Sequence, residues 1–319
     1  MRKDRCRGGA GARTAERGRS ARLLLLPALL LLGWLRPLPA AGQAPSSFVP
    51  DTGAVIATAP HWAGEFAVFS GNALLSGVTA GLVQKLRGGS FRDGFTRGVV
   101  GGGVVYAGKR FAAERFDGAG LLGREVASVG TSMVRNASEG AGLLERLTLP
   151  VGIARVYLDR GGRGVPRPVR LRLDAWATAW TLYGISQSQL DFDARASLSA
   201  GTPVFRTRNK VLSSGDLKAG GYAKAGVVLL SDVPAWGPVY ATRALHHELE
   251  HVLQEDQILG MWIRPLQSAW LPRLPGGRAL DDWLDLNPST EVLDGLSNLV
   301  KDHDVRPWEL EADYLAKRR

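Results

Sequence analysis

A chain of 319 residues, 45% hydrophobic and 22% charged, has room for one large domain or two modest ones and is not composed like a disordered segment. The net charge of +10 makes no case for nucleic-acid binding, because residues 1–42 hold nine Arg/Lys against two Asp/Glu; that net of +7 leaves only +3 for the rest. The single cysteine, Cys6, lies in the same segment, so thiol catalysis and cysteine-ligated zinc are excluded, and any metal site must use His, Asp and Glu.

Residues 1–42 read as a secretory signal. A basic stretch ends at Arg22, Leu23–Leu35 is apolar, and Ala40, Ala41 and Gly42 offer a cleavage site. As a helix the apolar run would span about 20 Å, short of the ~30 Å bilayer core. The expected location is exported, periplasmic or extracellular. Residues 43–65 read as an extended leader, and 66–149 as a Gly-rich helical region. Within 66–113, two apolar runs are parted by a polar break at Arg87–Gly94, and small residues four apart, Gly77 and Gly81, let helices approach closely. Asn72 and Gln84 interrupt the first run, while Arg97 and Lys109 bracket the second. A packed soluble helix pair is expected, with peripheral membrane association through 66–113 as the competing reading. Leu121, Leu122, Val126, Val129 and Met133 continue at helical spacing.

After Pro150 the pattern turns to strands, and 150–319 is expected to form an α+β domain. Val169, Leu171 and Leu173 alternate with Arg170, Arg172 and Asp174, the signature of a half-buried antiparallel strand. Extended pieces are expected to continue through 190–208, with a turn at Ala200–Gly201 and a last strand from Ala225 to Ser231. Pro238 opens a helix whose buried side is Leu245, Leu249, Val252 and Leu253, with Gly260 as its stop. Residues 264–279, rich in Pro, Gly and Trp, read as a long loop. Ser289 or Thr290 caps a short helix, and Pro307 opens the last one.

The helix after Pro238 carries the chemistry. His247-Glu248-Leu249-Glu250-His251 is an H-E-x-x-H pattern, and positions four apart share a helix face. His247 and His251 can aim two imidazoles at one metal ion, with Glu248 placed to take a proton from water on the open side. A third protein ligand must come from elsewhere, since Glu255 lies about 12 Å along the axis from His247. The candidates are His303, Glu309, Glu311 and Asp313. Gln254, three beyond His251, is placed to hydrogen-bond a ligand. Glu250 is expected to face solvent and His246 to flank the site.

Glu309-Leu310-Glu311-Ala312-Asp313, followed by Tyr314-Leu315-Ala316, resembles the E-x-x-A-D-x-x-A element of gluzincin zinc metallopeptidases, most closely their prenyl-protein and membrane stress-protease branch. The resemblance covers roughly residues 225–319 and implies a zincin-like fold binding Zn2+. It implies Glu309 as the third ligand and Asp313 as its support. It also implies an edge strand, Ala225–Leu230, that takes up a protein or peptide substrate by strand addition. The chain departs from that branch in lacking clear spanning helices around the motif. His303, Arg306 and Tyr314 are candidates for the donor that stabilises the transition state. Two other readings are a non-catalytic envelope protein with a structural or vestigial metal site, and a metal hydrolase acting on a non-peptide bond.

Overall fold

Glycine decides the first third of the fold. The computed structural model describes residues 61–160, 168–208, 210–214, 217–233, 237–297 and 306–317. Helix α1 (His61–Leu86) begins inside the stretch expected to be an extended leader, and α2 (Phe91–Ala112) returns beside it. The Ser90 hydroxyl accepts the Asp93 N–H and caps α2. Helix α3 (Ala119–Glu139) packs on α2 as well and stops at Gly140, which takes the left-handed conformation at φ 70°. A methyl at Gly102 would strike the backbone of Asn72 and Ala73 on α1, and one at Gly108 would strike that of Ala127 on α3. Backbones this close leave no room for any other residue.

Three strands follow: β1 (Arg146–Val151), β2 (Ala154–Asp159) and β3 (Val169–Asp174). The expected domain boundary at 149/150 falls inside β1. Next come α4 (Ala175–Ser186), β4 (Leu190–Phe192), α5 (Ala194–Ala200) and β5 (Val204–Thr207). Helix α5 replaces an expected extended segment, and both α4 and α5 begin on an aspartate. Asp174 accepts the Ala177 N–H at 2.9 Å, and Asp193 accepts that of Ala196 at 2.9 Å. Such N-caps satisfy donors that the first helical turn leaves free. The chain continues through β6 (Leu212–Ser214), β7 (Leu217–Ala219), β8 (Gly221–Lys224) and β9 (Val227–Leu230).

Helix α6 (Gly237–Ile258) has Pro238 in its first turn, as expected. Gly260 does not end the helical path, which passes through a π-turn (Leu259–Ile263) into α7 (Arg264–Trp270). Gly260 instead lets α3 approach, its Cα facing the Thr131 side chain. A 3₁₀ turn (Leu271–Arg273) and α8 (Gly277–Trp283) complete what reads in sequence as a loop. Pro265 and Pro272 both sit at the start of a helical segment, where a missing N–H costs little. The two-residue strand β10 (Leu284–Asp285) precedes α9 (Ser289–Ser297), and α10 (Pro307–Lys317) ends the described chain. Asn287 Oδ1 accepts the Ser289 N–H at the start of α9.

One four-stranded sheet runs β1-β2-β3-β10, antiparallel except for β10 along β3; the other four-stranded sheet runs β4-β5-β9-β8, with β5 and β9 parallel, and β6 and β7 form a separate antiparallel pair. The fold is thus mixed α+β, helices with small mixed sheets, and the described residues belong to one unit. The period-2 pattern of β3 is present but inverted: Leu171 and Leu173 are 55% and 42% exposed, whereas Arg172 and Asp174 are 1% exposed. The buried side of this sheet is ionic. Asp174 pairs with Arg155, which also reaches Asp256 of α6, and Arg172 stacks on the Tyr157 ring 5.1 Å away. The apolar core lies under the other sheet, where Leu249, Val252 and Leu253 of α6 meet Val204, Val228 and Leu230. Strand β9 has a neighbour on each side, so the edges of that sheet are β4 and β8, and the edge strand beside α6 is β8, not Ala225–Leu230.

Candidate metal centre

Helix α6 is buried on two sides for different reasons. Leu249, Val252 and Leu253 anchor it in the apolar core, which fixes its rotation and turns His247, Glu248 and His251 toward α10 and β8. Helix α10 packs against it through fully buried Ala312, and that small residue permits a close approach. The result is a triangle of donor atoms. His247 Nε2 lies 3.2 Å from His251 Nε2, and Glu309 Oε2 lies 3.3 Å from His247 Nε2 and 3.2 Å from His251 Nε2. A tetrahedral ion with bonds of about 2.0 Å has donor–donor edges of about 3.3 Å. The three groups therefore match one face of such a tetrahedron, with the fourth vertex left for a water or substrate oxygen, and could hold a metal ion.

The surrounding groups fix the ligands' orientation. Asp313 Oδ1 lies 3.2 Å from His247 Nδ1, so the ring nitrogen opposite the donor faces a carboxylate. Gln254 Oε1 lies 2.9 Å from His251 Nδ1, and the Gln254 amide donates to Glu311 at 3.0 Å and to the Trp308 carbonyl at 3.0 Å. Burial opposes charge on both rings, but the Asp313 and Glu309 hydrogen bonds raise His247 to about 10. The Glu309 charge and hydrogen bond likewise raise His251 to about 9. A bound cation would take the place of those protons.

No family model matches the chain, and neither a curated protein nor a solved structure matches it.

Glu248 is buried and pushed up from the usual carboxylate range by that burial, against the pull of His247 and His251. It accepts the backbone N–H of Ala223 on β8, and Gly221 of the same strand lies directly against its side chain. A Cβ at Gly221 would overlap the carboxylate, so glycine there keeps the space beside Glu248.

The remaining expected groups fall in different places. Glu255 is buried away from the donors. It accepts the N–H groups of Ala225 (3.1 Å) and Gly226 (2.6 Å) and the Thr290 hydroxyl, clamping the β8–β9 turn, where both residues have positive φ. Tyr314 lays its ring on Gly64 of α1. His303 lies outside the described residues. Glu250, expected in solvent, is 3% exposed and accepts from Lys109 of α2 at 2.9 Å.

That lysine is missed by the sequence reading, as are Asn72 and Tyr240. Lys109 Nζ also reaches Glu311 at 2.7 Å, and Asn72 of α1 donates to the other Glu311 oxygen at 2.6 Å. Burial disfavours the ammonium, but Glu250 and Glu311 outweigh it and hold Lys109 above its ordinary range. Glu311 is burdened by burial yet falls below the usual range because Lys109, Asn72 and Gln254 all stabilise its charge. Tyr240, two turns before Glu248 on α6, rests its hydroxyl on Gly220 and feels the Glu248 charge. No local pattern marks these residues. Lys109 and Asn72 lie 142 and 179 positions before His251 and join it only through the packing of α1, α2, α6 and α10.

Proposed function

We propose that this chain is an exported zinc-dependent metallopeptidase of zincin-like, gluzincin type, with His247, His251 and Glu309 as its metal ligands and Glu248 as its general base. The carrying observation is the donor triangle of 3.2, 3.3 and 3.2 Å, whose edges suit a small tetrahedral divalent ion. The absence of cysteine beyond Cys6 and the His₂Glu donor set favour zinc in a hydrolytic role over a closed structural site. Zinc bound there would supply Lewis acidity, lowering the pKa of water and polarising a carbonyl oxygen.

The chain's own residues do the rest. Glu248, raised by burial, accepts a proton from the attacking water as the new C–O bond forms, and passes it to the leaving nitrogen as the C–N bond breaks. Asp313 and Gln254 hold the two imidazoles in register through their second ring nitrogens. An extended protein or peptide substrate would add along β8, the edge strand whose Gly221 and Ala223 lie against Glu248.

The test is metal content and proteolysis measured side by side. Glu309→Ala should lose stoichiometric zinc, while Glu248→Gln should keep it and lose hydrolysis of a general protein substrate. Activity retained in Glu248→Gln would overturn the mechanism. Zinc bound without hydrolysis of any peptide by the wild type would reduce the centre to a structural site.

A further inference from the structure

The surface of α1 is inside out. Its buried face carries small and polar residues, namely Asn72, Ala73, Ser76, Thr79, Ala80 and Gln84. Its exposed face carries the large apolar ones: Leu74, Leu75 and Leu82 are 55%, 57% and 50% exposed, and Phe66, Phe69 and Val78 lie with them. A helix on the outside of a water-soluble fold has the opposite arrangement, with its apolar stripe toward the core. From Phe66 to Leu82 the helix has no charged residue, a stretch of about 25 Å. The acid just before it, Glu65, is turned onto Arg110 and Tyr106 of α2.

We infer that the outer face of α1 is a membrane-binding surface and that the helix lies in the plane of a bilayer with that face in the hydrocarbon boundary. Two observations select lipid as the occupant. Exposed Lys85, Arg87 and Arg92 cluster at the hairpin end of the face, where anionic headgroups would meet them, and Asp93 beside them is paired with Arg97. Trp62, 70% exposed, stands at the opposite end, and indoles favour the interface. Trp62–Leu86 is long and apolar enough to cross a bilayer. An in-plane placement is favoured nonetheless, because α2 packs along α1 and carries Arg97 within its length and the Lys109 that holds Glu250 and Glu311, groups that a crossing would draw toward hydrocarbon. This surface does not depend on the metal reading, but it ties the two together: Asn72, on the inner face of the same helix, holds Glu311 of the network behind His251.

The inference is tested in the full chain with Cys6 replaced by serine and a single environment-sensitive dye attached at Leu75→Cys, Leu82→Cys or, as a control on α6, Val239→Cys. These side chains are exposed, so labelling leaves the core intact. Phosphatidylcholine vesicles containing phosphatidylglycerol should shift the dye at 75 and 82 to the blue and shield it from aqueous iodide, leaving the dye at 239 accessible. Lys85→Gln and Arg87→Gln should each weaken that response about fivefold, as expected for one basic residue at an anionic surface. Iodide reaching positions 75 and 82 equally with and without vesicles would overturn the inference. So would shielding that needs no vesicles and grows with protein concentration, which would give the face to a second copy of the chain.

Discussion

Lys109 and Glu311 form a buried ion pair of 2.7 Å that joins the glycine-rich helices to the helix bearing Glu309. The lysine is 1% exposed and also holds Glu250, so one ammonium serves two acids on two helices. Replacing it leaves both carboxylates buried without a cation, a loss of about 3–5 kcal/mol for such pairs. Lys109→Met should therefore weaken zinc binding by about 10–100-fold, the range for groups that orient metal ligands. Chelator competition measures this, with Arg110→Met on the same turn as the neutral comparison. Equal affinities in the two variants would mean that the network does not reach the metal.

On the proposed mechanism, the phenol placed to act in turnover is Tyr240. It stands near Glu248 on the same helix, whereas Tyr314 packs on Gly64 of α1. Tyr240→Phe should lower kcat by about 10–100-fold with little change in KM, as for loss of a group acting on the transition state. Tyr314→Phe should leave kcat within about twofold. The reverse ranking in peptide hydrolysis would return the donor role to Tyr314.

Glycines of α1 and α2 should respond in opposite directions to the same methyl. Gly108→Ala meets the backbone of Ala127 and should destabilise by about 1–3 kcal/mol or more, as overpacking does. Gly71→Ala meets nothing and lies on an exposed helix face, so it should stabilise by about 0.5–1 kcal/mol. Chemical denaturation gives both values. A stable Gly108→Ala variant would mean that α2 and α3 do not touch there.

Stability should fall as pH rises through weakly acid conditions. Burial raises Glu255 from 4.5 to about 7, even though Thr290, Gly226 and Ala225 all hydrogen-bond its charged form. Between those values the folded state holds a proton that the unfolded state has lost. Each step up in pH across that window therefore favours unfolding, and the stabilisation is complete only below about 4.5. Glu255→Gln should flatten this slope in melts followed between pH 5 and 7.5, values chosen to bracket the upper part of the window. An unchanged slope would mean that Glu255 is ionised throughout.

Much of the centre was written in local order. The four-residue spacing of His247 and His251, and that of Glu309 and Asp313, places each pair on one helix face whatever the rest of the chain does. Proline at 238 and 307 marks the start of both helices for a reason equally local, the N–H that a first turn does not use. Which side of an element faces inward is different, because it depends on what arrives from elsewhere. Along β3 the alternation is plain in the sequence, but Asp281 and Asp285 make the Arg172 side the buried one. Asp174 and Asp193 look like wet strand residues until their carboxylates cap α4 and α5. Glu250 looks solvated until α2 presents Lys109 to it.

The sequence by itself determined the two same-face pairs, His247 with His251 and Glu309 with Asp313, the helices that carry them, and the small residues Gly77 and Gly81 that let α2 approach α1. Those rest on spacing and on backbone sterics, which a few neighbouring residues settle. Only the tertiary structure decided that Glu309 meets both imidazoles, that β8 is the edge strand, and that α1 turns its large apolar side chains outward. Each of these depends on contacts between segments tens to hundreds of residues apart, and no periodicity along the chain records them.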